Sequence, residues 1–291
     1  MRPSPRAEGR PPAAAWLVLP GVLWLLVLYG LPMLGLVPLS LSQPLSRFGL
    51  DTVFTGRWAT YAEVLQQYGP ILVRSFGFAA IATACGLVLA YPLAWSIRSR
   101  GHRWRPLLVG LVVLPSFCSY LVRAIAWTSL LADAGPVTGL LQALGIPGGV
   151  RLLNTPIAVI LGLTTNLLPF LVLPLLLAME RIDRSLLEAA ADLHAAPLAR
   201  FRRVVWPLSQ PGLAAGLLLS LIPAAGDVVN PLVLGGPNQR MIANTIANLL
   251  LVQLQAPRAA ALTLVLMGLI TLVLLVQLRG AGAAAGRLPL P

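Results

Sequence analysis

Six long apolar segments, separated by short polar gaps, divide the 291-residue chain. A helix that crosses a bilayer needs about 20 mostly apolar residues, because each residue rises about 1.5 Å against a hydrocarbon core of roughly 30 Å. The pattern therefore predicts an all-α integral membrane protein with six transmembrane helices. The predicted spans are residues 15–39, 71–97, 106–131, 156–179, 212–229 and 259–278.

These spans predict one transmembrane domain at residues 15–279, between a tail at residues 1–14 and a tail at residues 280–291. The first apolar stretch follows three arginines, but it is too long and too rich in leucine for a signal peptide, and we expect it to be retained. Only 10% of the residues are charged, against roughly a quarter in soluble domains. An ordinary soluble protein is therefore excluded.

The positive charge of the chain lies mostly on one side of the predicted membrane. The formal charge of +12 comes entirely from arginine, since the chain has no lysine. The opposite side has only scattered arginines, and no basic stripe alternates with aromatic residues as in a nucleic-acid-binding face. By the positive-inside rule, both termini and the loop at residues 180–211 are predicted to be cytoplasmic. The arginine-rich gaps are residues 2–10, 98–105, 181–203 and 279–287, and the scattered arginines include Arg47, Arg57, Arg151, Arg240 and Arg258.

The loop at residues 180–211 is the longest polar interruption in the chain. Asp183 is placed to cap a helix that begins near Arg184, with its carboxylate against the free backbone N–H groups of the first turn. Pro197 suits the first turn of a second short helix, and Pro207 is expected to end that helix. The loop is therefore predicted to form two short helices joined by a turn.

One string within this loop resembles the Glu-Ala-Ala signature of permease subunits of ABC importers. The family pattern is Glu-Ala-Ala, three residues, Gly, nine residues, Ile, one residue, Leu-Pro, and the spacing is intact here. Val204 stands for Ile, Trp206 stands for Leu, and His194 occupies the glycine position, where we expect a left-handed backbone. The residues assigned to this ATPase-coupling loop are Glu188, Ala189, Ala190, Asp192, Leu193, His194, Phe201, Val204 and Pro207.

The resemblance covers nearly the whole chain from the first span onward and implies a type I ABC importer permease fold. It implies that the loop docks in a groove of a cytoplasmic ATPase subunit, and that the other partners are a second permease subunit, a periplasmic solute-binding protein and membrane lipid. No catalytic residue, cofactor, metal or nucleic acid is expected. Further matching strings, at residues 121–127, 152–160, 226–231 and 234–237, look like the spermidine/putrescine branch. Permeases for iron, phosphonate-type compounds, opines or amino acids stay open as alternatives.

Two ionisable residues, Arg123 and Asp227, fall within predicted spans. A charged side chain there costs at least about 2.5 kcal/mol, so it is normally paired or faces a water-filled path. Counting from the cytoplasmic helix starts places both at a similar depth. We expect them either to pair for structural reasons or to line the translocation path together, and their opposite charges leave the charge of the substrate open.

Two other classes of protein fit the sequence less well. A secondary transporter driven by an ion gradient usually needs several intramembrane carboxylates or histidines, and Asp227 is the single acidic residue well inside a predicted span. A membrane-embedded enzyme would need a nucleophile and base or a metal cluster, but the two histidines, His102 and His194, lie in loops and Cys85 and Cys118 have no metal-ligand spacing. A phosphate-binding loop of the Walker type is also missing from the sequence, so the energy source is expected to be another chain.

Overall fold

The computed structural model describes residues 13–45, 51–100, 103–145 and 151–285. Within these ranges, six helices are long and apolar enough to cross a membrane, which confirms the predicted all-α membrane fold with six spans. Of the positions that the sequence singled out, Arg47, His102 and the terminal residues 1–12 and 286–291 lie outside the described residues. The six helices are Leu19–Ser40, Ala59–Ser99, Tyr120–Ala143, Pro156–Glu180, Pro197–Ala225 and Ala256–Arg279.

The chain divides into two compact units. The first comprises the described residues of Met1–Leu65 together with Leu249–Val265. The second comprises those of Gln66–Asn248 together with Leu266–Pro291 and contains the loop at residues 180–211. The second unit therefore holds all the residues that the sequence assigns to a functional site.

The first unit begins with α1 (Ala13–Leu25), which continues through one π-helical turn (Leu26–Gly30) into α2 (Leu31–Ser40). A small antiparallel hairpin follows, formed by β1 (Ser42–Pro44) and β2 (Thr52–Phe54). The sequence does not predict this hairpin, because three-residue strands are too short to show an alternation of polar and apolar positions.

Helix α3 (Ala59–Ser99) is longer than the predicted span at residues 71–97 and begins twelve residues earlier than that span. It contains Pro70 and Pro92 without ending at either. A proline inside a helix removes one backbone hydrogen bond, so a long helix bridges the defect when its other bonds and its packing persist. Its C-terminal turns reach the loop described below.

The third predicted span, residues 106–131, is wrong as a single helix. Helix α4 (Arg105–Val113) passes into a 3-10 turn (Leu114–Phe117), and α5 (Tyr120–Leu131) begins after an interruption. At that interruption Cys118 is extended, with φ −77° and ψ 145°. The predicted span at residues 106–131 therefore contains a break in the helix that its apolar pattern does not predict.

The core of the second unit is formed by two long helices that pack closely against each other on either side of the loop. Gly212 lies at their closest approach, because a Cβ atom there would stand 2.5 Å from the carbonyl oxygen of Pro174 and 2.5 Å from Cβ of Ala178. This approach fixes the two ends of the loop relative to each other. In chain order the helices are α6 (Pro136–Ala143), α7 (Pro156–Glu180), α8 (Arg184–Asp192), α9 (Pro197–Arg200) and α10 (Trp206–Ala225), of which α7 and α10 form this pair.

The fifth predicted span, residues 212–229, also differs from the structure at its end. Helix α10 ends at Ala225, with Gly226 as its C-cap, so Asp227 lies in a turn and not within a helix. Gly226 and the polar residue that follows it end the helix earlier than the apolar pattern suggests. The chain then continues with α11 (Val229–Val233), α12 (Ile242–Leu251) and α13 (Ala256–Ala285).

Candidate functional site

The first helix of the loop, α8, has the N-cap that the sequence predicts. The Asp183 carboxylate accepts a hydrogen bond from the backbone N–H of Ser185 at 3.1 Å. This bond, reinforced by the Ser185 hydroxyl, holds the pKa of the Asp183 carboxyl below its usual value. A lowered pKa means that the cap stabilises α8 above the ordinary pKa of aspartate and that this contribution is lost as the pH falls through the lowered value.

One face of α8 carries acidic and apolar side chains that the chain itself does not cover. Glu188 and Asp192 stand four residues apart on this face, and neither forms an ion pair or hydrogen bond with any described residue. Two like charges at this spacing destabilise an isolated helix by about 0.2–0.5 kcal/mol. Leu193 at the end of α8 is 83% exposed, and Leu198 on α9 is 76% exposed. This surface has the composition of a contact face for a partner that supplies positive charge and apolar cover.

The turn between α8 and α9 has the left-handed residue that the sequence predicts at the glycine position. His194 has φ 58°. Its backbone N–H donates to the carbonyl of Ala191 at 2.8 Å, and the N–H of Ala195 donates to the carbonyl of Ala190 at 3.1 Å. These two bonds form a Schellman motif, which places one residue in the left-handed region and satisfies the last carbonyls of the helix.

The second half of the loop differs from its prediction at one proline. Pro197 begins α9 as predicted. The prediction that Pro207 ends this helix is wrong: α9 passes through a π-helical turn (Phe201–Val205) directly into α10. In that turn the N–H of Trp206 donates to the carbonyl of Phe201, five residues back, so the helix enters Pro207 with a shifted hydrogen-bond register. Among the motif residues, Ala189 is exposed, and Ala190, Phe201, Val204 and Pro207 are half-buried.

A second site is the buried polar cluster around Asp227. Tyr120 donates its hydroxyl to the Asp227 carboxylate. Asn230 donates its side-chain amide to the same carboxylate oxygen at 2.6 Å, and the backbone N–H of Val229 donates to the other oxygen at 2.8 Å. Asp227 is only 6% exposed and Asn230 is fully buried. Four donors, counting the N–H of Asn230 at 3.4 Å, therefore surround the buried carboxyl group.

Arg123 and Asp227 form no direct ion pair in the structure, although pairing was one of the two predicted arrangements. Tyr120 contacts both residues instead. The Arg123 guanidinium lies 5.7 Å from the centre of the Tyr120 ring. Its Nε atom is buried and has no hydrogen-bond partner among the described residues. The tyrosine thus links the two charges of opposite sign.

Sequence reasoning missed Tyr120 and Asn230. One usable signal was the Asp-x-x-Asn spacing, which places Asn230 within reach of Asp227. The other was the presence of Pro115, a helix breaker, and the polar Ser119 inside an otherwise apolar run. The hydrogen bond from Tyr120 joins the start of α5, just after its helix break, to the turn after α10. Non-helical backbone at membrane depth persists only where protein buries it or where it lines a cavity.

Metal binding finds no support in the described part of the chain, where no group of three or more His, Cys, Asp or Glu residues could hold an ion. The ionisable groups of the cluster are one carboxylate, one phenol and one guanidinium. Two buried polar atoms of the cluster, Nε of Arg123 and Oδ1 of Asn230, have no hydrogen-bond partner among the described residues.

The chain is similar to proteins of known transport systems. Residues 82–279 match the family described as "Binding-protein-dependent transport system inner membrane component". The chain is 36% identical over 260 residues to the spermidine/putrescine transport system permease protein PotB of Escherichia coli (strain K12), covering 89% of this chain and 94% of that protein. It is 38% identical over 213 residues to the corresponding PotB of Haemophilus influenzae, covering 73% and 74%.

A solved structure shares the fold. It is a chain of the bacterial alginate ABC transporter in complex with an alginate pentasaccharide-bound periplasmic protein. The TM-score is 0.73 at 20% identity, over 91% of this chain and 92% of that chain. Six apolar helices, a Glu-Ala-Ala signature with intact spacing and these similarities agree. The chain belongs to the family of inner-membrane components of binding-protein-dependent transport systems, and it is a multi-pass permease subunit of an ABC importer with the type I fold.

Proposed function

We propose that this permease subunit carries a polyamine such as spermidine or putrescine from the periplasm to the cytoplasm by alternating access. It works with a second permease subunit, a pair of cytoplasmic ATPase subunits and a periplasmic solute-binding protein. Both termini and the loop at residues 180–211 face the cytoplasm, in agreement with the arginine distribution. The similarity to two PotB proteins over most of their length supports the substrate class.

The loop is the proposed docking surface for the ATPase. Its exposed carboxylates, Glu188 and Asp192, lack partners among the described residues, and its exposed Leu193 and Leu198 stand beside them. Exposed apolar side chains beside uncompensated charge are typical of a surface that another protein covers. ATP binding would close the ATPase pair and move this loop, and α7 and α10 would transmit the movement to the membrane.

We propose that the translocation path passes the Asp227 cluster. The hydrogen bonds around Asp227, between two interrupted helices, are the main observation behind this transport mechanism. Here the turn after α10 meets the broken start of α5, and discontinuous helices commonly form the substrate sites of transporters near the middle of the membrane. The Asp227 carboxylate suits an ammonium group of a polyamine, with Tyr120 and Asn230 holding it in place. Arg123 places a positive charge on the other side of Tyr120. Its repulsion of a bound cation would favour release of the substrate.

Uptake into proteoliposomes tests this function. The complete complex, reconstituted with its binding protein, is expected to accumulate radiolabelled spermidine or putrescine only when ATP is present on the ATPase side. A complex without ATP and an ATP-containing vesicle without the binding protein serve as controls.

Two outcomes would contradict the proposal. Uptake of an anionic solute such as a phosphonate, with no uptake of either polyamine, would assign Arg123 and not Asp227 to substrate. Uptake that follows an imposed ion gradient without ATP would place the chain among secondary transporters.

The left-handed turn gives a prediction on the loop itself. His194→Gly is expected to keep coupled ATP hydrolysis at or above the wild-type rate, because a residue other than glycine pays up to about 1–2 kcal/mol in this conformation. His194→Val, a β-branched residue at the same φ, is expected to lower it. Steady-state ATP hydrolysis by the reconstituted complex measures both. A collapse of activity in His194→Gly would show that the imidazole makes a required contact of its own.

A further inference from the structure

The C-terminal turns of α3 hold the coupling loop at two separate points. Tyr91, Trp95 and Arg98 are spaced by four and three residues, so they share one face of this helix. The Tyr91 hydroxyl lies 3.0 Å from Oγ of Ser209, after the loop's second helix. Arg98 donates a hydrogen bond of 2.7 Å to the carbonyl of Ile182, at the loop's beginning. A single helix face therefore contacts both ends of the loop.

The attachment at the far end is built mainly from aromatic rings. The Tyr91 ring stacks on Trp206, with centroids 5.4 Å apart and planes at 25°, and meets Phe201 edge-on at 5.8 Å. Trp206 and Phe201 bracket the π-helical turn, with centroids 6.3 Å apart. One extra residue in a helical turn rotates the following residues by about 100°. The π turn thus determines which side chains of α10 face Tyr91.

The attachment at the near end is polar. The Arg98 side chain packs over the Trp95 ring at 5.4 Å while it donates to the carbonyl of Ile182, a residue only 5% exposed. Two residues before Ile182, Glu180 at the end of α7 forms an ion pair with Arg105 of α4. These contacts fix the start of the loop without covering the face that carries Glu188.

Between the two attachments, α3 and the loop line a common cavity. This cavity of about 550 Å³ is lined by Tyr91, Trp95, Leu187, Pro197, Arg200 and Phe201, among others. The hydrogen bonds between α3 and the loop lie at the two ends of the loop, and none joins α3 to the middle of the loop among the described residues.

We infer that Tyr91 and Arg98 are positioning residues that carry the movement of the coupling loop into α3. The stacked rings and the two hydrogen bonds act as fixed points, so a displacement of the loop by the ATPase pulls or tilts α3. Transport then follows ATP hydrolysis only while both attachments hold. This inference rests on the proposed role of the loop as the ATPase-docking surface.

The experiment compares substitutions at the attachments with matched substitutions on the same helix or directly after its end. Tyr91→Leu removes the ring contacts, and Arg98→Gln removes the bond to Ile182. Each is expected to keep the ATPase subunit bound and ATP hydrolysis measurable, but to lower the amount of substrate moved per ATP hydrolysed by at least about fivefold. Tyr91→Phe keeps the stacking and is expected to restore most of the ratio. The controls are Val88→Ala, at a position 74% exposed, and Arg100→Gln, at an exposed position.

Several results would overturn the inference. An unchanged transport-to-hydrolysis ratio in Tyr91→Leu would do so, and loss of the ATPase subunit from that variant would show a structural role in assembly instead. If Tyr91→Leu does not accumulate, Trp206→Leu decides, since it removes the ring that stacks on Tyr91 and leaves the Tyr91 hydroxyl in place. An unchanged ratio in Trp206→Leu and Arg98→Gln together would contradict the inference. Failure of the wild-type chain to bind any ATPase would instead refute the proposed function, and that result needs no variant.

Discussion

Replacing Asp227 with asparagine is expected to reduce substrate transport by at least about tenfold, which corresponds to a loss of about 1.4 kcal/mol. The carboxylate accepts hydrogen bonds from Tyr120, from Asn230 and from the backbone of Val229. An asparagine has one acceptor oxygen and an NH₂ group that would face donors, and it removes the negative charge that we assign to the ammonium group of the substrate. Initial uptake rates over a range of substrate concentrations measure the effect.

Two control variants separate transport from structure. Asp133→Asn makes the same chemical change at an acidic residue whose side chain is 69% exposed, and it is expected to leave transport unchanged. Tyr120→Phe removes the hydroxyl donor while it keeps the ring and the carboxylate, so it is expected to give a smaller loss. If Asp227→Asn leaves uptake unchanged while the variant complex stays intact, Asp227 does not line the translocation path.

The apolar pattern predicts the number of spans because it reports which segments avoid water. It does not report whether the backbone stays helical within a segment. The break at Cys118 involves few residues, and its sequence signals are Pro115, Ser116 and Ser119 within an apolar segment. These signals do not fix the position of the interruption, although the interruption decides where Tyr120 lies.

Local signals succeed where the physical cause is local. Asp183 caps α8 through a residue two positions away, and His194 adopts φ 58° because the last carbonyls of the same helix need partners. Pro207 shows the limit of such reasoning. Its ring removes a backbone donor, but the π-helical turn before it rearranges the hydrogen bonds, and the helix continues into α10.

The polar cluster depends on tertiary structure and could be predicted only in part. Arg123 and Asp227 stand out because charge is rare in apolar segments. Their partners, Tyr120 and Asn230, belong to residue types that are common at such positions. The packing of α11 against α5, and its close approach to α7 at Gly162, bring these side chains together. Tyr120 and Asp227 are 107 residues apart in the chain, so no local sequence pattern predicts that they are in contact.

The substitution Glu188→Arg is expected to release the ATPase subunit from the purified complex. Glu188 is exposed, lies one turn before Asp192 and has no partner among the described residues, so the change leaves the fold of the loop intact. It reverses the charge at the centre of the proposed docking face. Loss of one buried or half-buried charge pair across an interface costs about 2–5 kcal/mol, and the reversal adds repulsion.

The measurement that tests the docking role most directly is co-purification of the ATPase through an affinity tag on this chain. Cells would express the permease pair and the ATPase with the wild-type chain, with Glu188→Arg, or with Asp133→Arg, which makes the same charge change at an exposed acidic residue outside the loop. We predict a full complement of ATPase with the wild type and Asp133→Arg, and its loss with Glu188→Arg. Full retention in Glu188→Arg, or a wild-type chain that transports substrate with no ATPase bound, would contradict the account.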